Sequence, residues 1–231
     1  DDAVSVTIDP KSKHWILTVH IADVAHFAPE GGPLDQEARK RATSIYLPRK
    51  VIPMFPEIIS NGLASLQQGK LRYVKTVQIE FTPGLQKADV QLFNGAIRVK
   101  QRFNYEEVQA HFDAMDGKGH APGKLDADVE LNLKRMRELA SLLRKKRYKR
   151  GALELNMPEP VLEYDDQGRV NGAHFAVNDE SHKVIEDCML AANEAVAEHF
   201  TAISVPFLRR VHPMPNEEKL IAFASFAALL G

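Results

Sequence analysis

Two pairs of apolar segments, each pair joined by a short turn, most narrowly limit how this chain can fold. Residues 4–8 alternate apolar with polar side chains, and residues 15–21 resume an apolar pattern after a turn-rich stretch. Residues 73–81 and 89–98 repeat the arrangement around a Pro-Gly turn, and Gly95 is predicted to form a bulge. Connections this short join antiparallel strands, because a parallel crossover needs about a dozen residues or more. The sequence therefore predicts two antiparallel hairpins.

Amphipathic helices account for much of the remaining chain. Residues 125–149 place apolar side chains on one helical face and end before Gly151, and residues 181–200 show the same periodicity. Further predicted elements are helices over residues 34–41 and 104–112, a helix starting after Asn216, and a hairpin formed by residues 161–164 and 170–175. Hairpins alternating with helices predict the α+β class, a mostly antiparallel sheet flanked by helices.

The composition excludes several classes of protein. The 30 basic and 31 acidic residues nearly cancel, so nucleic-acid binding cannot be inferred from net charge and would need local patches. A single cysteine, Cys188, excludes an internal disulfide and a zinc site built on cysteine pairs. No apolar run reaches the roughly 18 residues that span a membrane. We therefore expect a soluble, cytoplasmic protein without a membrane partner, and the sequence leaves its oligomeric state open.

The stretch from residue 20 to 66 is unusual for a connecting segment. Beyond its first strand and a short helix it runs as a long loop that contains Pro48, Pro53 and Pro56. Loops this long are usually binding loops or disordered segments, and the Ile, Met, Phe and Leu content of this one argues against disorder. It is therefore predicted to be a binding loop.

Several separated blocks identify a family through their order and spacing. They are Asp1-Asp2-Ala3, His20-Ile21-Ala22-Asp23-Val24, Ser60-Asn61-Gly62-Leu63-Ala64-Ser65-Leu66, Arg150-Gly151-Ala152-Leu153, Ile185-Glu186-Asp187-Cys188-Met189 and Arg210-Val211-His212. Together they closely resemble the catalytic domain of the ribonuclease II and ribonuclease R family of processive 3′ to 5′ exoribonucleases, and are nearer the ribonuclease R branch. The resemblance covers essentially the whole chain. It implies that residues 1–231 are a fragment of one exoribonuclease catalytic domain, truncated at both ends.

The resemblance implies a catalytic and metal-binding role for Asp1 and Asp2, as the last two acids of a four-aspartate cluster that binds Mg²⁺. By themselves two adjacent acids at a strand start are weak evidence, because solvated aspartates are common there. The other two family aspartates would precede residue 1 and the catalytic arginine would follow residue 231. Asp9, in a turn, is assigned no catalytic role. We therefore expect the fragment to be inactive by itself, although the parent protein hydrolyses RNA.

The resemblance also implies RNA-binding roles for four other residues. Tyr46 would stack on a base, Tyr105 would lie beside the scissile 3′ end, and Glu186 would lie near the terminal ribose. Arg209 stands where the family has a tyrosine, and we expect it to contact phosphate instead. The structural alternatives are loop packing for Tyr46, a core position for Tyr105 and an exposed helix face for Glu186. Leu155 departs from the family, which commonly has a stacking aromatic there.

Two further interpretations stay open from the sequence. The run from Arg144 to Arg150 carries six cations in seven residues, which indicates a solvated helix end or, alternatively, electrostatic capture of RNA. The function indicated is a metal-dependent exoribonuclease acting on single-stranded RNA to release nucleoside monophosphates. The alternative is a catalytically dead module of the same fold that binds RNA or a protein partner.

Overall fold

A computed structural model describes residues 2–154 and 159–230, except for the side chain of residue 230. The chain divides into two compact units, Asp1–Val196 and Ala197–Gly231. The strands are β1 (Asp2–Ile8), β2 (Trp15–Ala22), β3 (Ile45–Leu47), β4 (Lys50–Ile52), β5 (Leu71–Phe81), β6 (Lys87–Arg98), β7 (Pro160–Tyr164) and β8 (Val170–Phe175). The α-helices are α1 (Pro33–Arg41), α2 (Tyr105–Met115), α3 (Ala127–Lys149), α4 (Glu180–Ala202) and α5 (Glu217–Leu230).

The larger unit is built on a four-stranded antiparallel sheet in the order β1-β2-β5-β6. Asp2 pairs with Ile21 and Ile8 with Trp15, so the first predicted hairpin is confirmed, as are the α+β class and the second hairpin. The predicted bulge at Gly95 is wrong. Gly95 pairs regularly with Val74, and the register shift lies between Glu80 and Phe81, next to the turn that joins β5 to β6. The hydrogen-bonded ladder between β5 and β6 therefore continues through Gly95.

One hydrophobic core lies between the sheet and helices α2, α3 and α4. The sheet contributes the alternating side chains of β1, β2 and β5, as its half-buried face requires. The helices contribute the apolar stripes predicted from their periodicity. The fully buried side chains include Leu17, Val19, Ile79, Phe112, Leu139, Val184 and Cys188. This core fixes the relative positions of the elements that carry the site.

Asn132 ties α3 to the edge strand β1. Its Oδ1 accepts a hydrogen bond from Val6 N at 2.8 Å, and its Nδ2 donates to Val4 O at 3.3 Å. An edge strand presents backbone groups without a strand partner, and a side-chain amide can satisfy both kinds. The strand that begins at Asp2 is therefore held against the helix layer.

The stretch predicted as a proline-rich loop contains more structure than its sequence indicated. It includes the β3–β4 hairpin and a π-helix over Ile58–Leu63. Every residue of β3 and β4 is exposed, so the hydrophobic period that reveals a half-buried strand is missing. Arg72 holds the end of this stretch, since its guanidinium donates to the carbonyls of Ser65 at 2.9 Å and Gly62 at 3.2 Å.

The smaller unit contains the end of α4 and the whole of α5. Asn216 accepts a hydrogen bond from Lys219 N at 3.0 Å, which confirms the predicted start of this helix. Phe200 and Phe207 stack with ring centroids 4.9 Å apart. Within the described part of the chain, no helix combines the length and apolarity needed to cross a membrane.

Candidate active-site cleft

A cleft of about 810 Å³ opens in the larger unit beside the start of β1. Its walls come from β1, the end of β6 with the segment after it, and the helices α2, α3 and α4. Of the predicted site residues, Asp2 and Tyr105 both line it, although 103 positions separate them in sequence. The fold thus brings together a carboxylate and an aromatic ring at one concave surface, which is the usual form of a ligand site.

Asp2 is exposed at the first described position of β1. Its strand is fixed on one side by β2 and on the other by Asn132. The cleft lining continues along the strand through Ala3, Val4 and Ser5. Asp1, the second predicted catalytic acid, lies outside the described residues. Asp2 therefore has a backbone fixed by strand pairing and a carboxylate that solvent can reach.

Tyr105 is the first residue of α2, and a capping box holds the helix there. Asn104 accepts a hydrogen bond from Glu107 N at 2.8 Å, and the Glu107 carboxylate accepts one from Asn104 N at 2.9 Å. The side chain of Tyr105 is 43% exposed, so the alternative of a core aromatic is wrong. It stacks on His182 with ring centroids 3.9 Å apart and planes 17° apart.

His182 is a component of the site that the sequence analysis missed. Its Nδ1 lies 2.8 Å from Asp179 Oδ1, which also accepts hydrogen bonds from Ser181 N and Ser181 Oγ at the start of α4. Partial burial acts to raise the pKa of Asp179, but the hydrogen bonds from Ser181 and His182 outweigh it and lower the pKa. An aspartate two residues before a serine at a helix start was the available signal, since both residues are typical caps.

His20 also lines the cleft, on β2. Its Nδ1 lies 2.8 Å from Thr76 Oγ1, and partial burial lowers the pKa of the imidazole by disfavouring its charged form. The other histidine of this segment, His26, lies against Tyr73 with ring centroids 4.3 Å apart and planes tilted by 43°. Both histidines therefore contact neighbouring strands of the main sheet.

A basic segment forms the wall where β6 ends. Arg98, Lys100 and Arg102, from the end of β6 and the segment after it, all line the cleft. Lys100 Nζ lies 2.9 Å from Asp128 Oδ2, a hydrogen bond that raises the pKa of the lysine. A local group of cations therefore lies at the cleft, although the net charge of the chain is near zero. Arg98 and Lys100 already donate hydrogen bonds to other groups of the protein.

In the run from Arg144 to Arg150, the three arginines form ion pairs with α4, which neither interpretation of the sequence predicted. Arg144 binds Asp187 at 2.8 Å and Glu180 at 2.9 Å, and Arg147 binds Asp187 at 2.8 Å. Asp187 is only 3% exposed. Burial raises the pKa of Asp187, and the two guanidinium groups oppose that rise. These arginines therefore join α3 to α4 instead of forming a bare solvated end.

Glu186 lies beside this network. It is exposed on α4, and its carboxylate lies 3.4 Å from Arg147 Nη1. It follows Ile185, a cleft-lining residue, by one position. Its neighbour Cys188 is fully buried, and burial raises the pKa of the thiol to about 12, so this cysteine is a core residue and not a nucleophile.

Tyr46 lies on β3 and does not line the described cleft. Its side chain is 78% exposed, so the alternative of loop packing is wrong. At the tip of the same hairpin, Arg49 lies over the Tyr164 ring at 5.5 Å and donates to Gly168 O at 3.2 Å. These contacts join the β3–β4 hairpin to the β7–β8 hairpin. The structure thus separates Tyr46 from Asp2 and Tyr105.

Arg209 belongs to the smaller unit. Its Nη2 donates to Thr201 Oγ1 at 2.7 Å and to Ala197 O at 3.2 Å, and its guanidinium lies 4.9 Å from the Phe207 ring. It therefore binds the last turn of α4, where a cation is favoured. Leu155, the other predicted departure from the family, lies outside the described residues.

The residues described do not form a complete metal site. No group of three or more His, Cys, Asp or Glu side chains in the described ranges is arranged to hold a metal ion. The chemistry of Asp2 suits a hard divalent cation, because an accessible carboxylate oxygen is the ligand that Mg²⁺ prefers. Asp2 alone could supply one oxygen ligand, so a metal site at this position would need further ligands.

Comparisons with known proteins agree on one family. The RNB domain model matches residues 1–229. Ribonuclease R of Thermotoga maritima is 38% identical over 233 residues, covering 100% of this chain and 32% of the relative. Ribonuclease R of Mycoplasma genitalium has been solved in complex with ribose methylated single-stranded RNA and with double-stranded RNA, and its structures match at 33% identity. The TM-scores are 0.90 and 0.89, covering 99% and 100% of this chain and 35% and 40% of those chains.

A more distant structure shares the fold alone. Yeast Ssd1, a pseudonuclease, matches with a TM-score of 0.71 at 20% identity, covering 97% of this chain and 26% of that chain. The present chain spans about one third of the length of the ribonuclease R relative from Thermotoga.

Proposed function

This chain belongs to the RNB domain family, and on that premise we propose that it is part of the catalytic domain of a 3′ to 5′ exoribonuclease. The proposed substrate is single-stranded RNA and the proposed products are nucleoside monophosphates. The family assignment rests on the match to residues 1–229. The Mycoplasma genitalium relative was solved with RNA, which supports RNA as the partner of this chain.

One observation carries the proposal: the fold places Asp2 and Tyr105 in a single cleft. Hydrolysis at a chain end needs a carboxylate beside the scissile phosphate and a surface that holds the last nucleotide. A tyrosine ring can stack on a base without reading its identity, because every base has a π-face. A cleft with both features suits removal of successive nucleotides of any sequence.

The proposed reaction is metal-dependent, with Asp1 and Asp2 contributing carboxylates toward Mg²⁺. A bound divalent cation would supply an activated water and charge stabilisation for the leaving oxygen. The protein side chains position the substrate: Tyr105 holds the terminal nucleotide and Lys100 lies where a phosphate could approach. We also propose that residues 1–231 alone are inactive, since the two proposed carboxylates are fewer ligands than a divalent cation needs.

Tyr46 and Arg209 are proposed to contact RNA away from the cleft, and Glu186 is proposed to contact the terminal ribose at the edge of the cleft. The exposed ring of Tyr46 suits stacking on a base farther from the 3′ end. Glu186 is accessible next to a cleft-lining residue, so a ribose hydroxyl is a fitting donor to its carboxylate. Arg209 is the least favoured of the three, because its described contacts already engage one edge of the guanidinium. A cytoplasmic location is proposed from the chain's lone, unpaired cysteine.

The second candidate is a catalytically dead RNA-binding or protein-interaction module. The likeness to a pseudonuclease keeps this candidate open, because the fold by itself does not decide between the two. The two candidates differ in turnover and not in binding. Only the exoribonuclease shortens RNA.

The deciding experiment incubates the full-length protein with a 5′-labelled, 3′-tailed RNA, with Mg²⁺ or with a chelator. The proposal predicts stepwise shortening from the 3′ end and nucleoside monophosphates only when Mg²⁺ is present. Residues 1–231 alone should release none. RNA that is bound but never shortened by the full-length protein would select the dead module instead.

A further inference from the structure

The stacked pair of Tyr105 and His182 is the best-defined feature of the cleft rim. The rings are nearly parallel, 17° apart, at a centroid distance of 3.9 Å. Within the described chain, Tyr105, Ser181 and Ile185 line the cleft while His182 does not. Any influence of His182 on a ligand in the cleft therefore acts through Tyr105.

His182 is itself held at the edge of its ring by Asp179. The distance from Nδ1 to Asp179 Oδ1 is 2.8 Å. This carboxylate is fixed by three further hydrogen bonds, from Ser181 N, Ser181 Oγ and His182 N. A carboxylate at Nδ1 also determines that this nitrogen carries the proton and sets the ring's orientation. The imidazole plane is thus tied to the first turn of α4.

Fold stability alone does not account for this arrangement. Tyr105 is 43% exposed and the side chain of His182 is 36% exposed, so the stack buries little surface compared with a core aromatic pair. Its main effect is on orientation. An exposed tyrosine at a helix start would otherwise sample several χ1 rotamers, and stacking selects one.

We propose that His182 is a positioning residue that fixes the ring of Tyr105 at the cleft beside Asp2. The imidazole covers one face of the phenol ring, so a nucleobase or ribose can meet only the other face. Pre-orientation lowers the ordering cost of binding and holds the 3′-terminal nucleotide in one geometry. This role rests on the proposed exoribonuclease function, because it assigns the ligand that Tyr105 meets.

Two variants of the full-length protein distinguish the stacking face of His182 from its hydrogen bond to Asp179, and a third variant is the control. His182→Asn keeps a donor for Asp179 but removes the stacking face, whereas His182→Phe keeps the face but loses the tether. His14→Asn is the matched control, since His14 Nδ1 pairs with Glu80 at 2.6 Å and lies at the opposite end of the β1–β2 hairpin from Asp2. The control tests whether loss of a histidine–carboxylate pair matters in itself.

The kinetic readout is kcat and KM for release of the 3′-terminal nucleotide. The expected result is a loss of kcat/KM of roughly 10-fold or more for His182→Asn, with kcat reduced as well as KM raised. His182→Phe should stay within about threefold of wild type, and His14→Asn should match wild type. Equal activity of the Asn variant and wild type would overturn the proposal. So would an equal loss in the Asn and Phe variants, because the stacking face that only the Phe variant keeps would then have no effect.

A second readout does not depend on activity. A 3-fluorotyrosine placed at position 105 alone reports the ring environment by its ¹⁹F signal. The signal should shift toward the solvent-exposed value in His182→Asn and stay near the wild-type value in His182→Phe. An unchanged signal in His182→Asn refutes the positioning role even if the protein never cleaves RNA. A shifted signal in a protein without turnover rejects the exoribonuclease and keeps the positioning role.

Discussion

The cleft and the β3–β4 hairpin place aromatic side chains by different means. At the cleft, Tyr105 begins a capped helix and stacks on a tethered imidazole, and the same cleft is lined by a strand that Asn132 fixes to α3. On the hairpin, every strand residue is exposed and the main restraint at the tip is Arg49. The core therefore determines the geometry of the cleft, whereas side-chain contacts to exposed carbonyls determine that of the hairpin. This difference suits a cleft that holds the reacting group in a fixed position and a hairpin that binds a more distant part of the ligand.

Asp2→Asn in the full-length protein should give the largest effect. Loss of the negative charge weakens any metal site to which Asp2 contributes, so RNA shortening should fall by about 1000-fold, which is about 4 kcal/mol. Asp9→Asn is the control, because Asp9 serves a surface turn by accepting hydrogen bonds from Ser12 and Lys11. The measurement is the decay of a 5′-labelled RNA. Activity of Asp2→Asn equal to that of the Asp9 variant would remove the cleft from the reaction.

Asp187→Ala tests the ion pairs that join α3 to α4, two helices of the cleft wall. It leaves Arg144 and Arg147 without their shared buried carboxylate. The free energy of unfolding, measured in urea, should therefore be about 3 kcal/mol lower than that of the wild type. Glu130→Ala is the matched control, since its ion pair with Lys134 at 2.7 Å is exposed and should stabilise the fold far less than the buried pair does. Similar losses in the two variants would show that the α3–α4 network does not support the cleft.

Tyr46→Ala tests the hairpin. Loss of one stacking ring should weaken RNA binding by about 1–3 kcal/mol and change the length of the end product, with little effect on stability because the ring is exposed. Tyr46→Phe should bind as wild type does. Arg49→Ala keeps the ring but removes the contacts with Gly168 and Tyr164, so its loss of affinity should be smaller. Unaltered affinity and product length in Tyr46→Ala would exclude stacking.

The protonation of His20 should give the smallest effect. Burial lowers the pKa of its imidazole below 6.5, so between that lowered pKa and 6.5 the unfolded state binds more protons than the folded state. Stability therefore falls as the pH drops through this window. His20→Gln should lose less stability than wild type between pH 7.5 and 5. A steeper pH dependence in the variant would contradict the direction assigned to this pKa.

The sequence predicted elements whose periodicity the core enforces. The strands of the main sheet and the helices α3 and α4 repeat apolar side chains at the spacing that one buried face requires. The β3–β4 hairpin was missed because no face of it is buried, and the bulge was misplaced because glycine can also sit in a regular ladder. The family resemblance indicated Asp2 and Tyr105 separately. Their shared cleft, the His182 stack and the α3–α4 ion pairs depend on contacts distant in sequence, which local patterns do not encode.

Site-specific cross-linking tests whether the cleft receives the 3′ end of the RNA while the β3–β4 hairpin binds nucleotides upstream of it. Full-length Asp2→Asn protein, which should bind RNA without degrading it, is irradiated with RNA carrying 4-thiouridine either at the 3′ terminus or several nucleotides upstream. The terminal probe should label peptides containing Tyr105 or residues 181–185, and the upstream probe should label residues 45–52. Terminal probes that label the hairpin and leave the cleft unmodified would contradict this arrangement.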